Sequence, residues 1–120
     1  NTAQRPVISV SGADRVRAAA HEMKNHGVSQ VPVMDARGGV AGILTESNVL
    51  AHLLEHGGDS DTPVEELASI NYSIVDADTT IPVLSDMFTR VKLALVMEGD
   101  HIVNVITKID LIDYVSKLGR

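Results

Sequence analysis

Two short polar constellations recur in this 120-residue chain. Thr45 is followed three residues later by Asn48, and Thr107 three residues later by Asp110; each threonine closes an apolar run, GILT in one case and VNVIT in the other. A hydroxyl with an amide or carboxylate at this spacing supports two chemistries. In the first, Thr45 and Thr107 are helix N-caps, and Asn48 and Asp110 reach back from the third helical position to free backbone N–H groups. In the second, the helix N-terminus supplies unpaired N–H groups and partial positive charge, and a carboxylate fixed beside it accepts hydrogen bonds from both hydroxyls of a ribose. The motif alone leaves both open, because Thr-x-x-Asp is common by accident.

The other candidate chemistry is weaker. HEMKNH places His21 and His26 five apart, about 140° around a helix and off a common face, so it is not a zinc-protease helix. HLLEH puts His52 and His56 at i, i+4, where both can reach one metal ion, but no third ligand stands nearby, and histidines late in a helix also suit its negative end. No metal site is expected. DSD (59–61) and DAD (76–78) lack the spacing of a calcium loop and read as turns or caps. NYS (71–73) fits a glycosylation pattern, which matters only with secretion; Met23, Met34, Met87 and Met97 read as core filler. No serine has a base in a recognisable nucleophile turn, no glycine-rich phosphate loop is present, and no lysine sits in a cofactor-anchoring motif. No catalytic residue is expected, and no resident cofactor.

Composition narrows the partners. The formal charge of −6 opposes a phosphate backbone, and Tyr72, Tyr114 and Phe88 are too few for a base-stacking platform, so nucleic acid is not expected. No run approaches the ~20 apolar residues of a membrane span, so no membrane partner is expected and a cytoplasmic location is the default. There is no cysteine, hence no disulfide or thiolate site. The chain opens on Asn1, which suggests a piece of a longer polypeptide.

The elements that must position Thr45 and Thr107 come in two copies. GVSQVPVMDARGGVAGILTESNVLAHLLEHG (27–57) aligns with RVKLALVMEGDHIVNVITKIDLIDYVSKLG (90–119): Val33-Met34 falls on Val96-Met97, Asp35 on Glu98, Thr45 on Thr107, Asn48 on Asp110, Gly57 on Gly119. The offset drops from 63 to 62 across a one-residue loop deletion. In the first copy VISV (7–10) reads as a strand, and Val16, Ala19, Ala20 and Met23 lie at helical spacing before Gly27. VPVMD and VAGILT around ARGG read as a hairpin, and Val49, Leu50, Leu53 and Leu54 share a face of a second helix ending at Gly57. The second copy repeats this with YSIVD, TIPVLSDMFTRV, LALVME, HIVNVIT and DLIDYVSKLG, after a polar linker GGDSDTP (57–63). The expected fold is α+β: two β-α-β-β-α repeats, residues 1–58 and 59–120, packed sheet to sheet with pseudo-two-fold symmetry and helices outside.

GVSQVP, with GILTESN and VITKID, is similar to the Gly-h-x-x-h-Pro and h-h-Thr/Ser-x-x-Asp/Asn motifs of CBS domains, and over nearly its whole length the chain resembles a tandem pair, or Bateman module. The resemblance implies adenosine compounds bound in clefts that draw on both repeats. One site would use Val105, Thr107, Ile109 and Asp110 with Ile8, Val28, Ser29 and Gln30; aliphatic side chains would sandwich the purine and Asp110 would hold the ribose. A second, weaker site would use Thr45 and Asn48 with Ile74, Lys92 and Leu93. There the sequence departs from the pattern: Asn48 replaces the acid, Leu95 stands where Pro32 does in the first repeat, and Lys92 enters near the base. Within the family the chain looks most like the regulatory region of cystathionine β-synthase, which points to S-adenosylmethionine as the allosteric ligand; AMP, ADP or ATP serve other members. A phosphate would want cations, of which Lys108 is one candidate, whereas an acidic module tolerates a sulfonium without further arrangement. The implied partners are a fused or associated effector, a pyridoxal-phosphate-dependent cystathionine β-synthase, and a second copy of the module, giving a homodimer. A ligand-free oligomerisation scaffold is the alternative.

Overall fold

A computed structural model describes residues 7–56, 58 and 61–118. The chain divides into two compact units, one built on residues 8–70 and the other on 71–120, and each holds one three-stranded sheet. The predicted order of strand, helix, strand, strand, helix is found in both.

In the first unit β1 (Val10–Ser11) leads through α1 (Val16–His26) to β2 (Gln30–Met34), β3 (Val40–Thr45) and α2 (Glu46–Glu55). Strand β2 lies centrally, parallel to β1 and antiparallel to β3. Helix α1 stops at Gly27, whose left-handed φ of 63° lets its N–H reach back to the carbonyls of Lys24 and Met23. Val16, Ala19 and Met23 of α1 pack with Val49 of α2 against Val31, Val33 and Leu44, the helix-facing side of the sheet. The sequence places Leu50 and Leu54 with Val49 on an apolar face. Instead Val49 and His52 are inside, while Leu50 and Leu54 are 60% and 75% exposed.

The first strand is shorter than VISV suggests. Ile43 turns its own N–H and C=O outward to Ser69, at 2.8 Å each, so its cross-strand neighbour Pro32 faces β1 with its backbone, and proline has no N–H to give. Pairing with β1 is confined to Val10 and Ser11, and Ile8 stays outside the ladder, half-buried against the core. In the second unit Leu95 carries the N–H that Pro32 lacks, and β4 (Tyr72–Val75) pairs with β5 (Leu93–Glu98) at four positions.

That unit continues with α3 (Ile81–Met87) between β4 and β5, then β6 (His101–Thr107) and α4 (Lys108–Leu118). Leu84, Met87 and Phe88 cover Ala94, with Ile106 and Leu111 at the margin. The offset change falls in the hairpin loop: Met34 pairs with Val40, but Met97 pairs with Ile102, one residue closer.

Residues 61–70, which the sequence reading groups with the second repeat, pack in the first unit. Val16 donates its N–H to the Thr62 carbonyl and Val64 donates to that of Asp14, both at 2.9 Å. Arg15 holds the Asp61 carbonyl at 2.8 Å, Val64 is fully buried, and Ser69 pairs with the outer edge of β3. Gly57 and Gly119, read as helix terminators, and part of the linker, Asp59 and Ser60, lie outside the described residues.

Candidate functional site

Both threonine motifs form at strand-to-helix joints. The ladder sets each in place: Thr45 lies opposite Gln30 at the end of β3, and Thr107 opposite Leu93 at the end of β6. The next residue begins a helix whose first N–H groups need acceptors.

In the first unit the cap is reciprocal. Thr45 Oγ1 accepts from the Asn48 N–H, and Asn48 Oδ1 accepts from the Thr45 N–H, each at 3.1 Å. In the second unit Asp110 Oδ2 accepts from the Thr107 N–H at 2.8 Å and from its hydroxyl at 3.0 Å, while Thr107 Oγ1 accepts from the Asp110 N–H at 3.4 Å. Capping is therefore present at both sites. It uses one carboxylate oxygen only: Oδ1 of Asp110 has no hydrogen-bond partner among the described residues, and the residue is exposed. Two bonds thus pin Oδ2 and leave Oδ1 unengaged.

Asp110 also borders a hollow of about 480 Å³ within the second unit, lined by Val75, Asp76, Asn104, Ile106 and Tyr114 among others. Asn48 borders a hollow of about 350 Å³ lined by His52, His56, Thr62, Glu66 and Leu67 among others, the last three from the segment that packs on the first unit. Tyr114 and Asp76 were not among the predicted site residues. Tyr114 had a usable signal, since it stands four residues after Asp110 on the same helical face; Asp76 had none, because sheet order brings β4 there.

The remaining predicted residues fall into two groups by unit. In the first, Val28 and Ser29 follow α1, and the Ser29 carbonyl accepts from Glu46 N–H at 3.0 Å, which joins the start of β2 to the start of α2. Ser29 Oγ donates to Gln30 Oε1 at 3.1 Å, beside Thr45. In the second, Leu93 and Val105 lie near Thr107 in the ladder, with Val105 paired to Leu95, and the Lys92 N–H donates to Asn71 Oδ1 at 2.9 Å. Ile74 and Ile109 are exposed, at 59% and 66%. In the first unit Ser29 and Gln30 lie beside Thr45, and in the second Leu93 lies opposite Thr107, whereas Ile8 lies half-buried against the core and Ile74 pairs with Leu95.

The dismissed constellations have local explanations. His56 Nδ1 lies 3.0 Å from the His52 carbonyl at the end of α2, and the two imidazoles stack with centroids 4.2 Å apart. Among the described residues no group of three or more His, Asp or Glu is placed to hold a metal ion. In DAD, Asp76 Oδ1 accepts from the Asp78 N–H at 2.9 Å and from the Thr79 hydroxyl at 3.3 Å, a turn ahead of α3. Met23 and Met87 are buried, whereas Met34 and Met97 are half-buried.

The duplicated β-α-β-β-α unit, with a threonine cap at the same joint in each copy, has a counterpart among known proteins. The sequence profile of the CBS domain matches residues 3–55 and again 64–117. The chain belongs to the CBS-domain family. A cystathionine β-synthase from Dictyostelium discoideum is 28% identical to it over 118 residues, covering 92% of this chain and 23% of that protein. The CBS pair described here therefore spans about a quarter of the length of the curated cystathionine β-synthases it matches. A CBS-domain-containing protein from Agrobacterium tumefaciens shares the fold at a TM-score of 0.77 and 24% identity, over 92% of this chain and 90% of that one. So does CBSX2, solved in complex with AMP, at a TM-score of 0.73 and 16% identity, over 98% of this chain and 95% of that one. No helix among the described residues is long and apolar enough to cross a membrane.

Proposed function

We propose that this CBS pair senses an adenosyl ligand, S-adenosylmethionine in first place, and passes its occupancy to an attached effector, a pyridoxal-phosphate-dependent cystathionine β-synthase. The observation that carries the reading is Asp110: a carboxylate with one oxygen pinned by Thr107 and the other unpartnered and exposed. A ribose offers two hydroxyl donors, and a charged acceptor held in place meets them without first reorganising. Val105, Thr107 and Ile109 complete the second repeat's share of the site, and Ile8, Val28, Ser29 and Gln30 the first repeat's, on the family resemblance. Thr45 and Asn48 with Ile74, Lys92 and Leu93 form the weaker set.

The AMP bound to CBSX2 supports an adenosine compound as the ligand class. The choice of S-adenosylmethionine over a nucleotide rests on charge. The chain's formal charge of −6 suits a sulfonium better than a phosphate. Similarity to cystathionine β-synthase supports the effector. Regulation follows from differential affinity: a ligand shifts the module between two arrangements only as far as it binds one more tightly.

Calorimetry with S-adenosylmethionine, AMP and ATP tests the reading. Asp110→Ala should weaken the bound ligand by at least about 1.5 kcal/mol, the scale of a charge-assisted hydrogen bond, while Asn48→Ala leaves it nearly unchanged. Titrations without heat for all three ligands would leave the oligomerisation scaffold as the function.

A further inference from the structure

We infer that residues 1–6 dock on the second unit as the cover of the hollow bordered by Asp76, Asn104, Asp110 and Tyr114. The first unit shows what belongs there. Its counterpart of Tyr114 is His52 and of Leu118 is His56, at the offset of 62 that also pairs Asn48 with Asp110. His52 borders its own hollow together with Thr62, Glu66 and Leu67 of the 61–70 segment and is 8% exposed, and Val64 of that segment is fully buried. Among the described residues no segment does the same in the second unit. Tyr114, on a hollow of about 480 Å³, is 54% exposed, and Leu118, one turn further along α4, is 59% exposed. A concave wall with an apolar flank, covered in one copy and open in the other, needs an occupant.

Connectivity names that occupant. The chain leaves the first unit at Ile70 and enters the second at Asn71; upstream of β1, Val7 belongs to the second unit and Ile8 to the first. Residues 1–6 therefore stand to Val7 as residues 64–69 stand to Ile70, and a short tether holds them near the surface they cover. Charge agrees with this. Arg5 is the one charged side chain of the six, and Asp76 and Asp110 are on the wall of the hollow. The cover does not extend the ladder. In the first unit Ser69 and Ile43 exchange N–H and C=O at 2.8 Å each; Pro6, in the place of Ser69, has no N–H, and Val105, in the place of Ile43, already gives its own to Asn104 Oδ1 at 2.8 Å. Ala3 takes the place of Glu66 and meets Tyr114.

The chain has no cysteine of its own, which makes cross-linking the direct test. Ala3→Cys with Tyr114→Cys in the whole chain should close a disulfide within one chain, under mild oxidation, at least about tenfold faster than Ala3→Cys with Ala51→Cys, because a docked segment holds the two thiols at high effective concentration. Ala51 is a fair control, being exposed on α2 of the first unit. Equal rates overturn the inference, and so does a disulfide formed between two chains, which would seat a second copy on this surface instead. A second measurement needs no substitution. Hydroxyl-radical labelling of Tyr114 should be about twofold higher in the chain lacking residues 1–6 than in the whole chain, with Leu50 and Leu54 labelled equally in both. Labelling of Tyr114 that does not change on removing those residues overturns the inference. Neither readout involves a ligand, so both decide it whatever the outcome for the adenosyl reading.

Discussion

His52 is the residue whose environment differs most from its sequence reading. It stands at the i, i+4 spacing of a metal pair with His56, yet it is only 8% exposed, and its Nε2 is a buried polar atom with no hydrogen-bond partner among the described residues. An unsatisfied buried donor or acceptor costs about 1–3 kcal/mol, and an apolar side chain of similar size removes that cost. His52→Leu is therefore expected to stabilise the protein by about 1 kcal/mol, read as a higher urea midpoint at unchanged slope. A lower midpoint would mean that Nε2 has a partner in solution. Capping was one of the two readings that the threonine motifs offered, and it was legible because a cap is made by neighbours in sequence. That one oxygen of Asp110 stays unpartnered was not legible, since it depends on which side chains from other elements come near.

At the scale of elements, repeat membership and packing differ in the segment after α2: the family profile counts residues 64–70 with the second repeat, and they pack in the first unit. Gly, Asp, Ser and Pro in GGDSDTP signal a linker, but composition does not say which unit the following residues join. Val64 and the Ser69–Ile43 pair tie them to the first. Two predictions follow from that packing. Val64→Ala leaves a void under the segment and should cost about 1–3 kcal/mol of unfolding free energy by denaturant titration. Gly42 is more exacting, because a Cβ there would sit 2.7 Å from the Ala68 Cβ and 2.9 Å from the Ser69 carbonyl oxygen. Gly42→Ala must push the strand off β3 and should cost at least about 1–3 kcal/mol, with faster amide exchange at Ile43 and Ser69 as the specific sign. Asn104 occupies the equivalent place in β6, where its own Oδ1 caps the Val105 N–H at 2.8 Å. One repeat thus closes its edge with a chain segment, and the other with a side chain.

For the whole molecule, most of the large apolar residues left exposed lie on the second helix of each unit. Leu50 and Leu54 on α2 and Ile109, Ile112 and Leu118 on α4 are each more than half exposed, and α4 has no buried residue. Large apolar side chains left in water at regular helical spacing suit an interface, in keeping with the proposed homodimer. Leu54→Glu combined with Ile112→Glu should shift the sedimentation coefficient towards monomer without lowering the thermal midpoint of each unit's core. An unchanged coefficient would place any interface elsewhere.

The sequence by itself determined the repeats, the element order, the hairpins, the caps and the family, because each is written in local periodicity or in residues a few positions apart. Tertiary structure decided where the 61–70 segment packs, that Pro32 shortens β1 while Leu95 does not shorten β4, and that His52 rather than Leu50 or Leu54 is buried. It also decided which oxygen of Asp110 remains to accept. Those outcomes turn on groups far apart in the chain competing for the same N–H, the same edge or the same buried volume, and local pattern carries no record of which competitor wins.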